Sequence, residues 1–266
     1  MGCHVFFAIP ISPKLSDEQW DHLDALLTLT LESIDNQTDK NYTVYVCGHS
    51  CPPAVASGSF KNVEFLQADF PVPTSDDQRR RDKRRKRWRI ATEVHKRGGG
   101  YYMYLDADDL VHKDLVAYVR SDNNEVGYLI THGYALDYAN RRIAPIPGAW
   151  RKQFNEVCGS SGIVYMLPED LPTEPYPSEP NLDLLYFQIS NHTRFATMAM
   201  REGKQLAPLP FPGGIYTLNH ALNLSSILVR TEERQVKLIE SIKRLKIDDV
   251  SEINDNFGLN GFISNS

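Results

Sequence analysis

Short apolar runs and long helical-period segments alternate along the first half of the chain, and their spacing predicts its elements. Val5 to Ile9 is an unbroken apolar run closed by Pro10 and Pro13, which reads as a buried strand. Ser16-Asp17-Glu18-Gln19 has the form of a capping box. Trp20, Leu23, Leu26, Leu27 and Leu31 follow at helical spacing, so a helix should run to Asp35. Tyr42 to Cys47 and Val63 to Gln67 read as strands, separated by a Pro-, Gly- and Ser-rich loop over Gly48 to Ser59. Phe70-Pro71-Val72-Pro73 is an irregular connector. Asp76 to Arg97 reads as one long basic helix, stopped by Gly98-Gly99-Gly100. Tyr101 to Leu105 is the next strand, and a helix should begin near His112 to Asp114. This β-α-β-β-α-β order predicts a largely parallel, doubly wound sheet.

The second half is less regular. Tyr128 to Thr131 and Tyr134 to Asp137 have strand character, and Cys158-Gly159-Ser160-Ser161-Gly162 is a tight loop before a strand from Ile163 to Met166. The Pro-rich run Pro168 to Pro180 reads as a surface connection. Helices are expected over Thr193 to Gly203 and within Ser226 to Arg244, with the last dozen residues as a loose tail. Residues 1–225 then form one domain, 1–120 being the more regular half, and 226–266 a C-terminal helix and tail. No internal repeat is visible.

Composition places the chain among ordinary globular proteins. Its 266 residues are enough for a sizeable core, and no apolar run is long enough to span a bilayer. The start at Met1-Gly2-Cys3-His4 lacks a basic, then apolar, leader, so it reads as a first strand and not a signal peptide. Four cysteines do not suggest a disulfide framework; reduced thiols and a cytoplasmic location are expected. Cys47-x-His49-x-Cys51 is too tightly spaced for a usual zinc finger. Charge changes the picture more. The net charge of −5 conceals nine basic residues and one acid between Arg79 and Arg89, which leaves −13 on the rest. Overall acidity argues against a sequence-specific nucleic-acid binder. The basic helix suits a local anionic partner, either a phosphate group or an anionic membrane surface.

The strongest chemical signal is Tyr101-Tyr102-Met103-Tyr104-Leu105-Asp106-Ala107-Asp108-Asp109, an apolar strand that ends in three carboxylates. In extended backbone, residues i and i+2 point the same way, so Asp106 and Asp108 can converge while Asp109 braces the turn. Hard oxygen ligands at a strand's carboxyl end suit Mg²⁺ or Mn²⁺ bridging to phosphate. An acidic helix N-terminus would use the same residue types.

Strand, helix, strand, long helix, strand and D-A-D-D resemble the nucleotide-sugar-binding half of GT-A glycosyltransferases of the family-2 kind. Gln37 and the Tyr42 to Val46 strand fit the same pattern. The resemblance covers residues 1–120 well and extends loosely to about 220. It implies an α/β GT-A (Rossmann-like) fold: a doubly wound mixed sheet flanked by helices, with an irregular acceptor-side half. It implies a metal-dependent, inverting enzyme that takes a nucleotide-sugar donor, a UDP-sugar, to a glycan or lipid-linked glycan acceptor. Asp106, Asp108 and a late His220 would hold the metal, and mixed Asp and His ligation favours Mn²⁺ over Mg²⁺. The donor would meet Pro10, Asp69, Asp77, Lys83, Asp106, Ala107, Ser160 and Ser161. Gly213-Gly214 would permit close backbone approach to a ligand. Two departures stand out. Where many members carry D-D-G-S after the second strand, this chain has Cys47-Gly48-His49-Ser50, so Asp69, Asp76 or Asp77 would have to serve the nucleotide. The late-helix Glu-Asp that supplies the base falls near Asn191-His192, which makes His192 the first candidate base, then Asp183 or Glu179. The arginines and lysines of 79–89 would add a peripheral contact with an anionic membrane. A nucleotidyltransferase also carries carboxylates at a strand tip, but Pro10-Ile11-Ser12-Pro13-Lys14 is not its Gly-rich phosphate loop. A non-catalytic binding module with a decayed site is the alternative from another class.

Overall fold

A computed structural model describes residues 4–174, 195–201, 203–220, 229–245, 247 and 249–263. Strands β1 (Val5–Pro10), β2 (Tyr42–Gly48), β3 (Val63–Gln67) and β4 (Gly100–Tyr104) run parallel in the order β3-β2-β1-β4. The sheet continues through β9 (Gly162–Met166), antiparallel to β4 and to β6 (Gly127–Leu129), and closes with β10 (Ala207–Pro208). Helix α1 (Asp17–Asp35) and helix α3 (Asp76–Lys96) cover opposite faces. Val5, Phe7 and Ile9 of β1 pack with Trp20, Leu23, Leu27 and Leu31 of α1. The alternate residues Phe6 and Ala8 pack with Trp88, Ile90, Ala91 and Val94 of α3. A strand covered on both faces reads as a continuous apolar run, which is why β1 is legible in the sequence. The helix starts are legible too: Ser16 and Ser75 each accept a hydrogen bond from the backbone N–H three residues on. The predicted loop over Gly48 to Ser59 also holds a short helix, α2 (Pro53–Ala56).

Gly98, Gly99 and Gly100 all have positive φ. A Cβ at Gly99 would lie 2.4 Å from the carbonyl oxygen of Met166, so the turn into β4 needs glycine there.

A second sheet, in the order β5-β11-β7-β8, was not foreseen: β5 (Leu110–Val111), β11 (Gly214–Leu218), β7 (Gly133–Asp137) and β8 (Arg142–Ile146). It corrects two expectations. Gly213 and Gly214 serve internal packing, since a Cβ on Gly214 would meet Phe154 Cζ at 2.9 Å and one on Gly213 would meet Leu209 Cδ1 at 2.9 Å. Residues 255–263 are also not a loose tail. Helix Ser251–Asn256 and the residues after it bury Val250, Ile253, Phe257, Leu259 and Ile263 against Leu110, Leu136, Ile143 and Ile215 of the second sheet. Among the described residues no helix is long and apolar enough to cross a membrane.

The basic run in α3 is not one solvated face. Lys86 is fully buried, donating to Asp82 Oδ2 at 2.5 Å and to the Ile11 carbonyl at 2.9 Å. Arg87 is buried over the Tyr104 ring, and Arg89 pairs with Glu93. Only Arg80 and Arg81 of the nine are classed as exposed, and both lie near Asp77. The Cys-His-Cys run does not assemble a metal centre. His49 Nε2 lies 2.7 Å from Asp82 Oδ1, Cys51 is exposed, and burial pushes the Cys47 thiol up to about 12. The described cysteines Cys47, Cys51 and Cys158 are free.

Candidate active site

In the first sheet, β2 and β3 lie on one side of β1, and β4 opens the other. Crevices at such reversals, beyond the carboxyl ends of the strands, are where open α/β sheets bind ligands. The ladder runs to Leu105, whose N–H donates to the Ala8 carbonyl at 3.0 Å, and the carboxylates follow. Asp106, Asp108 and Asp109 present ligand oxygens that all lie within 4.8 Å of one another. Helix α4 (Leu115–Asp122) starts six residues beyond Asp109, which removes the helix N-terminus reading.

The three carboxylates differ in surroundings. Asp109 is 2% exposed, and both of its oxygens are engaged. Oδ2 accepts from Ser160 Oγ at 2.6 Å and from Cys158 Sγ at 3.2 Å, while Oδ1 accepts from the Thr217 N–H at 3.2 Å. It therefore ties the turn after β4 to the loop before β9 and to β11. Burial, and then the neighbouring Asp108 and Asp106, hold its carboxyl well above the usual carboxylate range. Asp106 and Asp108 remain partly exposed. The Asp106 N–H donates to Ser160 Oγ at 2.9 Å, so one serine hydroxyl joins the main chain of the first aspartate to the side chain of the third. Lys83 Nζ lies 2.6 Å from Asp106 Oδ1, so a cation already sits on this carboxylate.

His220 comes two residues after β11 and reaches the cluster at Asp108, with Nε2 2.8 Å from Oδ2. Its side chain is only 1% exposed, yet neither ring nitrogen makes a hydrogen bond. The short contact thus lacks hydrogen-bond alignment. The clustered oxygens of Asp106, Asp108 and Asp109 could hold a divalent ion, and the buried His220 ring meets that cluster at Asp108. The rings of His220, His22 and Tyr138 form a triangle, with centroids 6.0 Å apart for His22–His220, 6.4 Å for Tyr138–His220 and 5.9 Å for His22–Tyr138.

The other expected residues are dispersed. Pro10 ends β1 in register with Cys47, and Ala107 packs against the core between the two aspartates. Ser160 and Ser161 are both buried; Ser161 accepts the Ile130 N–H at 2.8 Å through its carbonyl. Ser160 is a brace of the carboxylate turn, a role that needs β4 and β9 to be neighbours. Asp69 is exposed just past β3, and Asp77 is occupied by Arg81 at 2.8 Å, near the start of α3. His192, Asp183 and Glu179 lie outside the described residues. The buried trio His49, Asp82 and Lys86, where the D-D-G-S carboxylate would stand, was missed. Its only sequence signal is the Asp82–Lys86 spacing of one helical turn.

The observed order of strand, helix, strand, long helix, strand and carboxylates is the GT-A order expected from the sequence. No family model and no curated protein matches the chain. Solved structures of the same general layout do. A protein described as a nucleotide-diphospho-sugar transferase, from Desulfovibrio desulfuricans G20, aligns over 92% of this chain and 99% of its own at 9% identity, with a TM-score of 0.36. The glycosyltransferase GlyE of Streptococcus pneumoniae TIGR4 aligns over 92% of this chain and 64% of its own at 12% identity, TM-score 0.38. The galactosyltransferase LgtC, solved with donor and acceptor sugar analogues, aligns over 94% and 99% at 13% identity, TM-score 0.36. Superpositions this loose transfer no residue's role to this chain.

Proposed function

We propose that this chain is a metal-dependent GT-A glycosyltransferase. It moves a sugar from a nucleoside-diphosphate sugar, a UDP-sugar, to a hydroxyl of a glycan or lipid-linked glycan, with inversion. The observation that carries this reading is the cluster of Asp106, Asp108 and Asp109 beyond the carboxyl end of β4, with the buried His220 ring 2.8 Å from Asp108 and in no aligned hydrogen bond. Asp106, Asp108 and His220 would hold Mn²⁺ in preference to Mg²⁺, because imidazole joins the oxygen ligands. When bound, the ion supplies Lewis-acid charge against the departing diphosphate. Lys83, already at Asp106, adds a second positive charge that can hydrogen-bond diphosphate oxygens. Ser160 and Asp109 hold the turn rigid, so the ligands need little reorganisation. The acceptor's proton goes to His192 in this reading, with Asp183 second; a neutral imidazole is a competent base near pH 7. A cytoplasmic location, with Arg80 and Arg81 at an anionic membrane face, completes the proposal.

The test is Asp108→Asn. Sugar transfer from the donor that serves the wild type should fall by about 100-fold or more, as expected when several kcal/mol of charge stabilisation is lost. The metal-free melting temperature should stay within about 2 °C, since Asp108 is a partly exposed carboxylate. Unchanged metal-dependent turnover would overturn the assignment.

A further inference from the structure

We infer that Asn219 and Asp137 form a clamp that aims His220 at the carboxylate cluster, which makes them positioning residues of the site; this rests on the metal reading above. Strands β7 and β11 pair in parallel with Leu218 opposite Asp137, and the pairing extends one step further where the Tyr138 N–H donates to the Leu218 carbonyl at 3.0 Å. The ladder ends there, and His220 lies two residues on. Between them Asn219 has φ of 58°, the left-handed region that most side chains avoid. Asparagine tolerates that conformation when its amide finds a local partner.

The partner is Asp137, which is 0% exposed. Its Oδ1 accepts from Asn219 Nδ2 at 2.7 Å, and its Oδ2 accepts from Asn140 Nδ2 at 2.7 Å, with the Asn140 N–H at 3.3 Å from Oδ1. A carboxylate this deep in the protein, held by neutral amides, must be placed for what it organises. It fixes the backbone turn that delivers His220, while the rings of His22 and Tyr138, 5.9 Å from each other, pack to one side of the imidazole. His220 makes no aligned hydrogen bond, and its 2.8 Å contact is with the Asp108 carboxylate at which it is aimed. Its aim is therefore set by the turn before it, and the clamp sets the turn. Partners of this kind around a metal ligand typically change metal affinity by about 10- to 100-fold when removed.

The test separates the clamp from the backbone. Asn219→Gly keeps a residue at ease with positive φ and deletes only the amide. Asn219→Asp keeps shape and φ tolerance but sets a second carboxylate against Asp137. Mn²⁺ affinity would be read from the loss of the free-ion electron paramagnetic resonance signal, with metal-free melting temperature measured alongside. Both variants should bind Mn²⁺ about 10- to 100-fold more weakly, and Asn219→Gly should also melt about 2–6 °C lower, because the buried Asp137 carboxylate loses a donor. In the Asn219→Gly/His220→Ala pair the glycine should add no further loss beyond His220→Ala, because both changes remove one contribution. Wild-type affinity in Asn219→Gly and Asn219→Asp, or fully additive losses in the pair, would overturn the clamp alone. A wild-type chain that leaves the free Mn²⁺ signal intact would overturn the metal reading and the clamp with it.

Discussion

Asp109 separates two accounts of the D-A-D-D run: three metal ligands, or two ligands and a brace. Asp109→Ala removes the acceptor of three donors, Ser160 Oγ at 2.6 Å, Cys158 Sγ at 3.2 Å and the Thr217 N–H at 3.2 Å. The Ser160 hydroxyl can turn, and the thiol is a weak donor. The Thr217 amide is held in β11 and cannot. One stranded buried donor costs about 1–3 kcal/mol, and the small void adds about 1 kcal/mol, so the expected loss is about 3 kcal/mol. At about 2 °C per kcal/mol for a chain of this length, the metal-free melting temperature should fall by about 6 °C. Asp109→Asn keeps the shape and one oxygen for Thr217, and removes a charge that burial and two neighbouring carboxylates already oppose. It should cost about 1 kcal/mol or less, which is about 2 °C. Differential scanning calorimetry at pH 7.5 reads both. Mn²⁺ titration should find Asp109→Asn weakened by about 10-fold, the scale of a partner beside the ligands, and by less than Asp108→Asn. An asparagine variant that melts as low as the alanine, or loses Mn²⁺ as Asp108→Asn does, would refute the brace.

Further tests probe the frame. His112 is held below its ordinary 6.5 chiefly by burial. Below pH 6.5 the unfolded chain therefore takes up a proton that the folded chain resists, so this residue's contribution to stability falls as pH drops through the lowered value and is flat above 6.5. His112→Asn retains an acceptor for the Asp114 N–H and cannot titrate, so its urea midpoint should vary less between pH 5 and 7 than that of wild type; an unchanged slope would contradict the assignment. Gly127→Ala would set a Cβ 2.2 Å from the Ile163 carbonyl at φ of +120°, whereas Gly58→Ala meets nothing within 4 Å at φ of +69°. Calorimetry should show Gly58→Ala losing about 1–2 kcal/mol from φ alone and Gly127→Ala losing more than twice that; equal losses would mean that the β6–β9 contact yields easily.

The parts of the fold that were legible carry their own periodicity and punctuation. The run Val5 to Ile9, the stripe from Trp20 to Leu31 and the Gly98 to Gly100 stop each announce an element without help from the rest of the chain. The second sheet was not legible, because β5 has two residues and β11 begins at a glycine; their burial comes from each other. Phe257, Leu259 and Ile263 looked like a tail because nothing near them in sequence shares their apolar face, which meets Leu136 and Ile143 instead. Lys86 was read as one of nine basic residues suited to an anionic partner, but α3 turns it under the loop after β1. In the site, the pairing of carboxylates at a strand tip was local and visible. The Asp109–Ser160 brace joins residues 51 apart, and the approach of His220 to Asp108 depends on β11 lying beside β5 and β7. Such contacts follow from strand order, which local spacing does not record.

In the proposed enzyme the carboxylates and His220 hold a metal that in turn holds a nucleotide sugar. A thermal-shift panel of nucleotide sugars, each with and without Mn²⁺, tests it most directly, because a ligand that binds only the folded chain must raise its apparent stability. A UDP-sugar should stabilise the chain only in the presence of Mn²⁺, and Asp108→Asn should lose that stabilisation. No shift with any nucleotide sugar, with or without metal, would contradict it and leave a glycan-binding or membrane-binding module as the reading to pursue.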